Sequence, residues 1–151
     1  KKRQKAIAEA KKNAPNPRLE ELKKICKQIA PLGLTIHNIP ADGNCLYSAV
    51  AHQCSFFQQT LTQKEVRSMA ATFIRENAEE FKPFIDYEGD IDTSFENYCN
   101  TVEHSTEWGG ELEIRALTNA LKRPIIIYSV GTPHTVGEEY GKENALLLSY
   151  H

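Results

Sequence analysis

The sequence predicts an α+β domain, because stretches with helical apolar spacing fill most of the chain and two β-rich apolar runs close it. The clearest helical stripes are Leu19, Leu22, Ile25, Cys26 and Ile29, then Val66, Met69, Ala70, Phe73 and Ile74, then Leu112, Ile114, Leu117 and Leu121. Residues 124–130 and 145–150 are the β-rich runs, separated by a loop containing Gly and Pro, as in neighbouring buried strands. A length of 151 residues suits one domain. With 40% hydrophobic and 25% charged residues, 8 Gly and 7 Pro, the composition excludes collagen-like and disordered classes.

Taken in order, residues 1–13 are rich in Lys and Ala without a broad apolar face, and Ala14-Pro15-Asn16-Pro17 stops any helix there. Residues 1–16 are therefore expected to be a basic helical extension or linker, and residues 17–151 the packed domain. Asn16 offers an N-cap with Pro17 at the first helical position, and Pro31 and Gly33 end that helix. Residues 34–39 are expected to be a short strand. The loop Pro40-Ala41-Asp42-Gly43 follows, after which Asn44 can cap a helix carrying Leu46, Ala49 and Val50 on one side. Thr62 with Glu65 three residues on forms a capping box before the next helix. Signals weaken over residues 81–107, where Tyr87-Glu88-Gly89-Asp90 predicts a turn and residues 95–102 a short helix. The helix over residues 111–121 follows the flexible Trp108-Gly109-Gly110.

No apolar run approaches the ~20 residues that span a bilayer, and the Lys-rich start lacks the apolar stretch of a signal peptide, so no membrane partner is expected. The expected location is the cytoplasm, with the nucleus also open. Cys26, Cys45, Cys54 and Cys99 are too sparse for a disulfide scaffold and contain no Cys-x-x-Cys pair, so reduced thiols are expected, with Cys26 and Cys99 buried. Six of the 18 basic residues but one of the 20 acidic residues precede Asn13, leaving 12 basic against 19 acidic in the remainder. The basic tail could touch nucleic acid or a ribosome, but it lacks aromatic interleaving and any RNA-binding motif, and a solvated helix end is the favoured reading. No metal site or other cofactor is expected, since Cys45, His52 and Cys54 lack a fourth ligand at a familiar spacing.

Chemistry concentrates at Asp42-Gly43-Asn44-Cys45. A thiol on the first turn of a helix lies near unsatisfied backbone N–H groups, which favour the thiolate. Gly43 permits a tight turn, so loop amides can converge on the oxygen of an acyl group attacked by Cys45. Acyl transfer is the natural reaction class. Asp42 is suited to shaping the loop by hydrogen bonds to local N–H groups rather than to acting as a base. On these residues alone a buried, inert cysteine is the favoured reading.

The segment Ile39-Pro40-Ala41-Asp42-Gly43-Asn44-Cys45-Leu46-Tyr47-Ser48-Ala49-Val50 resembles the signature of the ovarian tumour (OTU) cysteine proteases, which remove ubiquitin by cleaving its C-terminal isopeptide bond. A second block, Glu107-Trp108-Gly109-Gly110-Glu111-Leu112-Glu113-Ile114, is similar to the Trp-Gly-Gly segment of that family, and Pro124-Ile125-Ile126-Ile127-Tyr128 to the strand after it. Gly137-Glu138-Glu139-Tyr140 and the preceding helical extension resemble the OTU-domain-containing protein 6 subgroup. The resemblance implies a papain-like fold with a small central sheet flanked by helices, and ubiquitin or polyubiquitin as partner. It implies Cys45 as nucleophile, Asp42 as organiser of the oxyanion site, and the amides of Asp42, Gly43, Asn44 and Cys45 as donors. It implies that Trp108, Gly109, Gly110 and Glu111 border the channel for the ubiquitin tail, although Trp108 is equally compatible with core packing.

The family's catalytic base is a His in a His-Tyr motif, and no His-Tyr occurs here. The expectation is that the general base, and the Asn or Asp that orients it, lie beyond residue 151, with His151 itself as the rival. His52 is seven residues past Cys45, roughly 10 Å along one helix, which excludes direct contact. His37 and His104 flank the two motif blocks and are candidates for proximity to the site, while His134 falls in the loop between the strands. The leading expectation is thus a deubiquitinase acting through a Cys45 thioester. The competing classes are a ubiquitin-binding module without turnover and an RNA- or ribosome-associated adaptor.

Overall fold

The computed structural model describes residues 17–150, and the expected extension over residues 1–16, like His151, lies outside the described residues. Among the described residues, six α-helices precede and frame a three-stranded sheet: α1 (Pro17–Ile29), α2 (Cys45–Cys54), α3 (Gln63–Glu76), α4 (Ala78–Phe81), α5 (Ile91–His104), α6 (Glu111–Leu121), β1 (Ile125–Tyr128), β2 (His134–Val136) and β3 (Leu146–Ser149). This is the predicted α+β order.

The sheet runs β2-β1-β3, with β1 antiparallel to β2 and parallel to β3. Ile125 pairs with Leu146 and Tyr128 with Ser149, so the two apolar runs are neighbours as expected. The strand β2 sits in what the sequence presents as a loop. Its three residues lie between Pro133 and Gly137, too short a run to display alternation, and only their pairing with Ile125, Ile126 and Ile127 of β1 makes it a strand. The reverse holds for residues 34–39, which adopt no regular structure. The one backbone bond there, Leu34 N–H to the Ile29 carbonyl, belongs to the helix end, so the segment lacks a ladder.

Helix α3 is the structural axis, packing on α2, α5 and α6. Its capping box forms as predicted, with Glu65 N–H donating to Thr62 Oγ1 at 3.1 Å and Thr62 N–H to Glu65 Oε1 at 3.3 Å. The small Ala70 and Ala71 on its buried face admit close neighbours. The weakly signalled region becomes a full helix, α5, capped by Asp90, whose Oδ2 accepts from Thr93 N–H. It is longer than the helix expected over residues 95–102 because the Asp90 cap lies five residues before its first buried side chain, Phe95. The core joins Tyr47 and Val50 of α2, Val66 and Ile74 of α3, Phe81, Leu117, Ile125 and Leu146. Burying each such aliphatic side chain contributes about 1.5–3 kcal/mol. On the sheet's outer edge, Leu147 N–H donates to Gln53 Oε1 of α2 at 3.0 Å, tying β3 to the helix that carries Cys45.

Candidate active site

Cys45 begins α2, and a tight turn delivers it. Asp42 N–H donates to the Pro40 carbonyl at 2.9 Å, Asn44 N–H to Asp42 Oδ1 at 2.9 Å, and Cys45 N–H to the Asp42 carbonyl at 3.1 Å. Asp42 thus shapes the loop through an Asx turn. Three of the four loop amides named as oxyanion donors already have internal acceptors. Gly43 N–H, among the described residues, has none.

Gly43 is required by its neighbour: a Cβ there would overlap the Thr106 carbonyl oxygen. Asn44 occupies the N-cap position without making a side-chain cap, contrary to the expected role. Its Oδ1 accepts instead from Arg67 Nε at 2.9 Å. Arg67, 2% exposed, also donates from Nη1 to the Val102 carbonyl at 2.8 Å and from Nη2 to the carbonyls of Gly43 at 3.1 Å and Glu107 at 2.8 Å. Its guanidinium lies 4.1 Å from the centre of the Tyr47 ring, a cation–π contact in a desolvated setting. A buried cation is tolerated when its donors are satisfied in this way.

The Cys45 thiol is half-buried, and its pKa stands above the ordinary thiol value. Burial is the largest cause, and the Asp42 carboxylate adds to it, while the N–H groups of Leu46 and of Cys45 itself act in the opposite direction. The helix-terminal amides therefore do favour the thiolate, as anticipated, but burial and a nearby negative charge outweigh them.

The second predicted block adjoins this turn. Trp108 is 59% exposed, which rules out core packing for the indole. Gly109 sits where a Cβ would collide with Leu46 Cδ2 and stand 3.2 Å from the Tyr47 hydroxyl, so this segment lies directly on the first turn of α2. Gly110 N–H donates to Glu113 Oε1 at 3.2 Å, and Tyr98 Oη–H to Glu113 Oε2 at 2.6 Å. Glu111 faces away to His134, Oε1 to Nε2 3.2 Å. A cleft of about 270 Å³ is lined by Tyr47, Tyr98, Thr101, Val102, Glu107, Trp108 and Glu113.

The four described histidines have other engagements. His37 stacks on His52 with ring centres 3.9 Å apart, and Phe56 meets His52 edge-on. His104 pairs with Glu103 at 3.1 Å and His134 with Glu111. None of them hydrogen-bonds the Cys45 thiol, and both candidates for the general base lie outside the described residues. Among the described residues no group of three or more His, Cys, Asp and Glu side chains could hold a metal ion. Cys99 and Cys54 are buried, but Cys26 is exposed, contrary to expectation, because Ile25 and Ile29 are the residues of α1 that are buried and Cys26 lies off that face.

Arg67, Glu113 and Tyr98 were not singled out by sequence reasoning. A signal for Arg67 exists: it stands three and seven residues before Ala70 and Ile74, a cation inside an apolar stripe.

Residues 40–151 match the profile of the OTU-like cysteine proteases. The chain is 37% identical over 154 residues to the Xenopus laevis protein named deubiquitinase OTUD6B, covering 98% of this chain and 52% of that one. It thus spans about half the length of the curated relatives it matches. A solved OTUD1 OTU domain is 26% identical with a TM-score of 0.68, covering 87% of this chain and 89% of its own. A solved OTU domain in complex with ubiquitin shares the fold at 22% identity and a TM-score of 0.59, covering 77% of this chain and 63% of that chain.

Proposed function

The chain belongs to the OTU-like cysteine protease family, and from that premise we propose that it is a deubiquitinase whose nucleophile is Cys45. The observation that carries this reading is the placement of the Cys45 thiol on the first turn of α2, facing the Leu46 N–H above a glycine turn. In the reaction, the Cys45 thiolate attacks the carbonyl carbon of the isopeptide bond, forming a C–S bond and a tetrahedral oxyanion. Collapse breaks the C–N bond, the lysine amine leaves carrying the proton that the Cys45 thiol gave up on ionising, and a thioester remains. Water then attacks that thioester, releasing the ubiquitin carboxylate and restoring the thiol.

The Gly43 N–H, which has no acceptor within the described residues, is the donor we assign first to the oxyanion; the Cys45 N–H, held by the Asp42 carbonyl at 3.1 Å, stands second and has to share that bond. Asp42 holds the turn that aims them. Trp108, Gly109 and Gly110 are assigned to the channel wall, where a backbone packed onto Leu46 leaves little width and rejects substrates with side chains by clash. Glu111 is assigned to the rim. A ubiquitin-binding module without turnover is the second reading, favoured by the raised thiol pKa and by the absence of a bonded histidine among the described residues.

The test is incubation with ubiquitin bearing a C-terminal thiol-reactive group. A covalent adduct is expected, lost in Cys45→Ala and retained in Cys26→Ala, Cys54→Ala and Cys99→Ala. Loss of the adduct in any of the latter three, in protein that still folds, removes Cys45 from its role.

A further inference from the structure

Resting on the deubiquitinase reading, we propose that Arg67 is a positioning residue that sets the nucleophile turn and the channel wall in one geometry. Among the described residues no carboxylate accepts from this guanidinium; its acceptors are three main-chain carbonyls and one side-chain amide oxygen. Two of them, Gly43 O and Asn44 Oδ1, belong to the turn before Cys45. The other two, Val102 O and Glu107 O, belong to the end of α5 and to the segment entering Trp108. Nη2 alone bridges Gly43 O at 3.1 Å and Glu107 O at 2.8 Å, so a single nitrogen holds the two strips of backbone together.

The planar, rigid fork of an arginine is what this arrangement uses. A lysine carries the same charge but cannot reach four divergent acceptors in fixed directions. Holding the Gly43 carbonyl also fixes the plane of the peptide between Gly43 and Asn44. Tyr47 backs the guanidinium, and the missing Cβ of Gly43 lets Thr106 close against the turn. The groups that move the Cys45 thiol pKa are burial, local N–H groups and Asp42, with Arg67 not among them. Arg67 therefore acts through geometry, and Arg67→Lys, which keeps the positive charge, tests that geometry without removing a cation.

The experiment compares Arg67→Lys with the unaltered chain. On ubiquitin carrying a C-terminal fluorogenic amide, kcat is expected to fall about 10- to 100-fold, as for misplacement of a reacting group by about 1 Å. The pH midpoint for iodoacetamide alkylation of Cys45 is expected to stay fixed. Hydrogen exchange should accelerate at residues 43–45 and 107–110 together while α3 amides stay protected. Unchanged kcat, or acceleration spread across the fold with Cys54 and Cys99 becoming alkylated, overturns the proposal. Should Arg67→Lys not fold, Asn44→Ala serves: exchange at residues 107–110, for which Asn44 has no bond of its own, is expected to quicken through the guanidinium, and no change there overturns it. A wild-type chain inert to the ubiquitin electrophile sinks the deubiquitinase reading, whereas the exchange and alkylation measurements need no ubiquitin and judge Arg67 alone.

Discussion

At Cys45 the local fields oppose one another, and their signs give testable chemistry. Burial and the Asp42 carboxylate disfavour the thiolate, so alkylation of Cys45 by iodoacetamide should rise with pH with a midpoint above that of an ordinary exposed thiol. Asp42→Asn keeps an oxygen for the Asn44 N–H but removes the charge, so the midpoint should move to lower pH and alkylation at neutral pH should speed up. A midpoint that stays put or rises would show that the carboxylate has no electrostatic hold on the thiol. Asp42→Ala removes the turn bond as well, and kcat on ubiquitin substrates should fall on the order of 100-fold, comparable to losing one oxyanion donor. Steady-state kinetics on the two variants separate charge from geometry.

At the scale of elements, two glycines join the nucleophile turn to its surroundings in different ways. A Cβ on Gly43 meets a main-chain carbonyl, which cannot swing aside, whereas a Cβ on Gly109 meets the end of the Leu46 side chain, which can change rotamer. Gly43→Ala should therefore cost about 1–3 kcal/mol or more, with most adduct formation lost, and Gly109→Ala less. Urea unfolding and adduct rate measured on both variants check the order, and equal losses would count against it. The α3 cap supplies a further check, since Thr62→Ala should lower stability by about 1 kcal/mol without changing the pH midpoint of Cys45.

Across the whole molecule, the buried thiols couple stability to alkaline pH. Burial raises the pKa of Cys54 and Cys99 along with that of Cys45, Cys99 to about 11. In the unfolded chain these groups titrate near 8.5, so above that pH the unfolded state holds fewer protons than the folded one. Their contribution is fully present below about pH 8.5 and is lost as pH rises toward 11. The urea midpoint should decline over that window. Cys99→Ala should be less stable at neutral pH, from the cavity, yet show a shallower alkaline decline. An unchanged slope in that variant would contradict the assignment.

Much of this protein was determined by short-range features of the sequence. The Thr62 capping box, the apolar stripes of α3 and α6, the two parallel runs of β1 and β3, and the Asp42-Gly43-Asn44-Cys45 turn all depend on neighbours within a few residues, so periodicity and motif reveal them. What the tertiary structure decided depends on partners far along the chain. Residues 34–39 had β-like composition and no ladder to join, while His134–Val136 had almost no signal and acquired strand geometry from Ile125–Ile127. Asn44 looked like a cap until Arg67, 23 residues away, took its oxygen. The thiol pKa followed the same rule: helix-terminal N–H groups are written into the motif, but desolvation is set by how the fold closes over Cys45, and here that closure prevails.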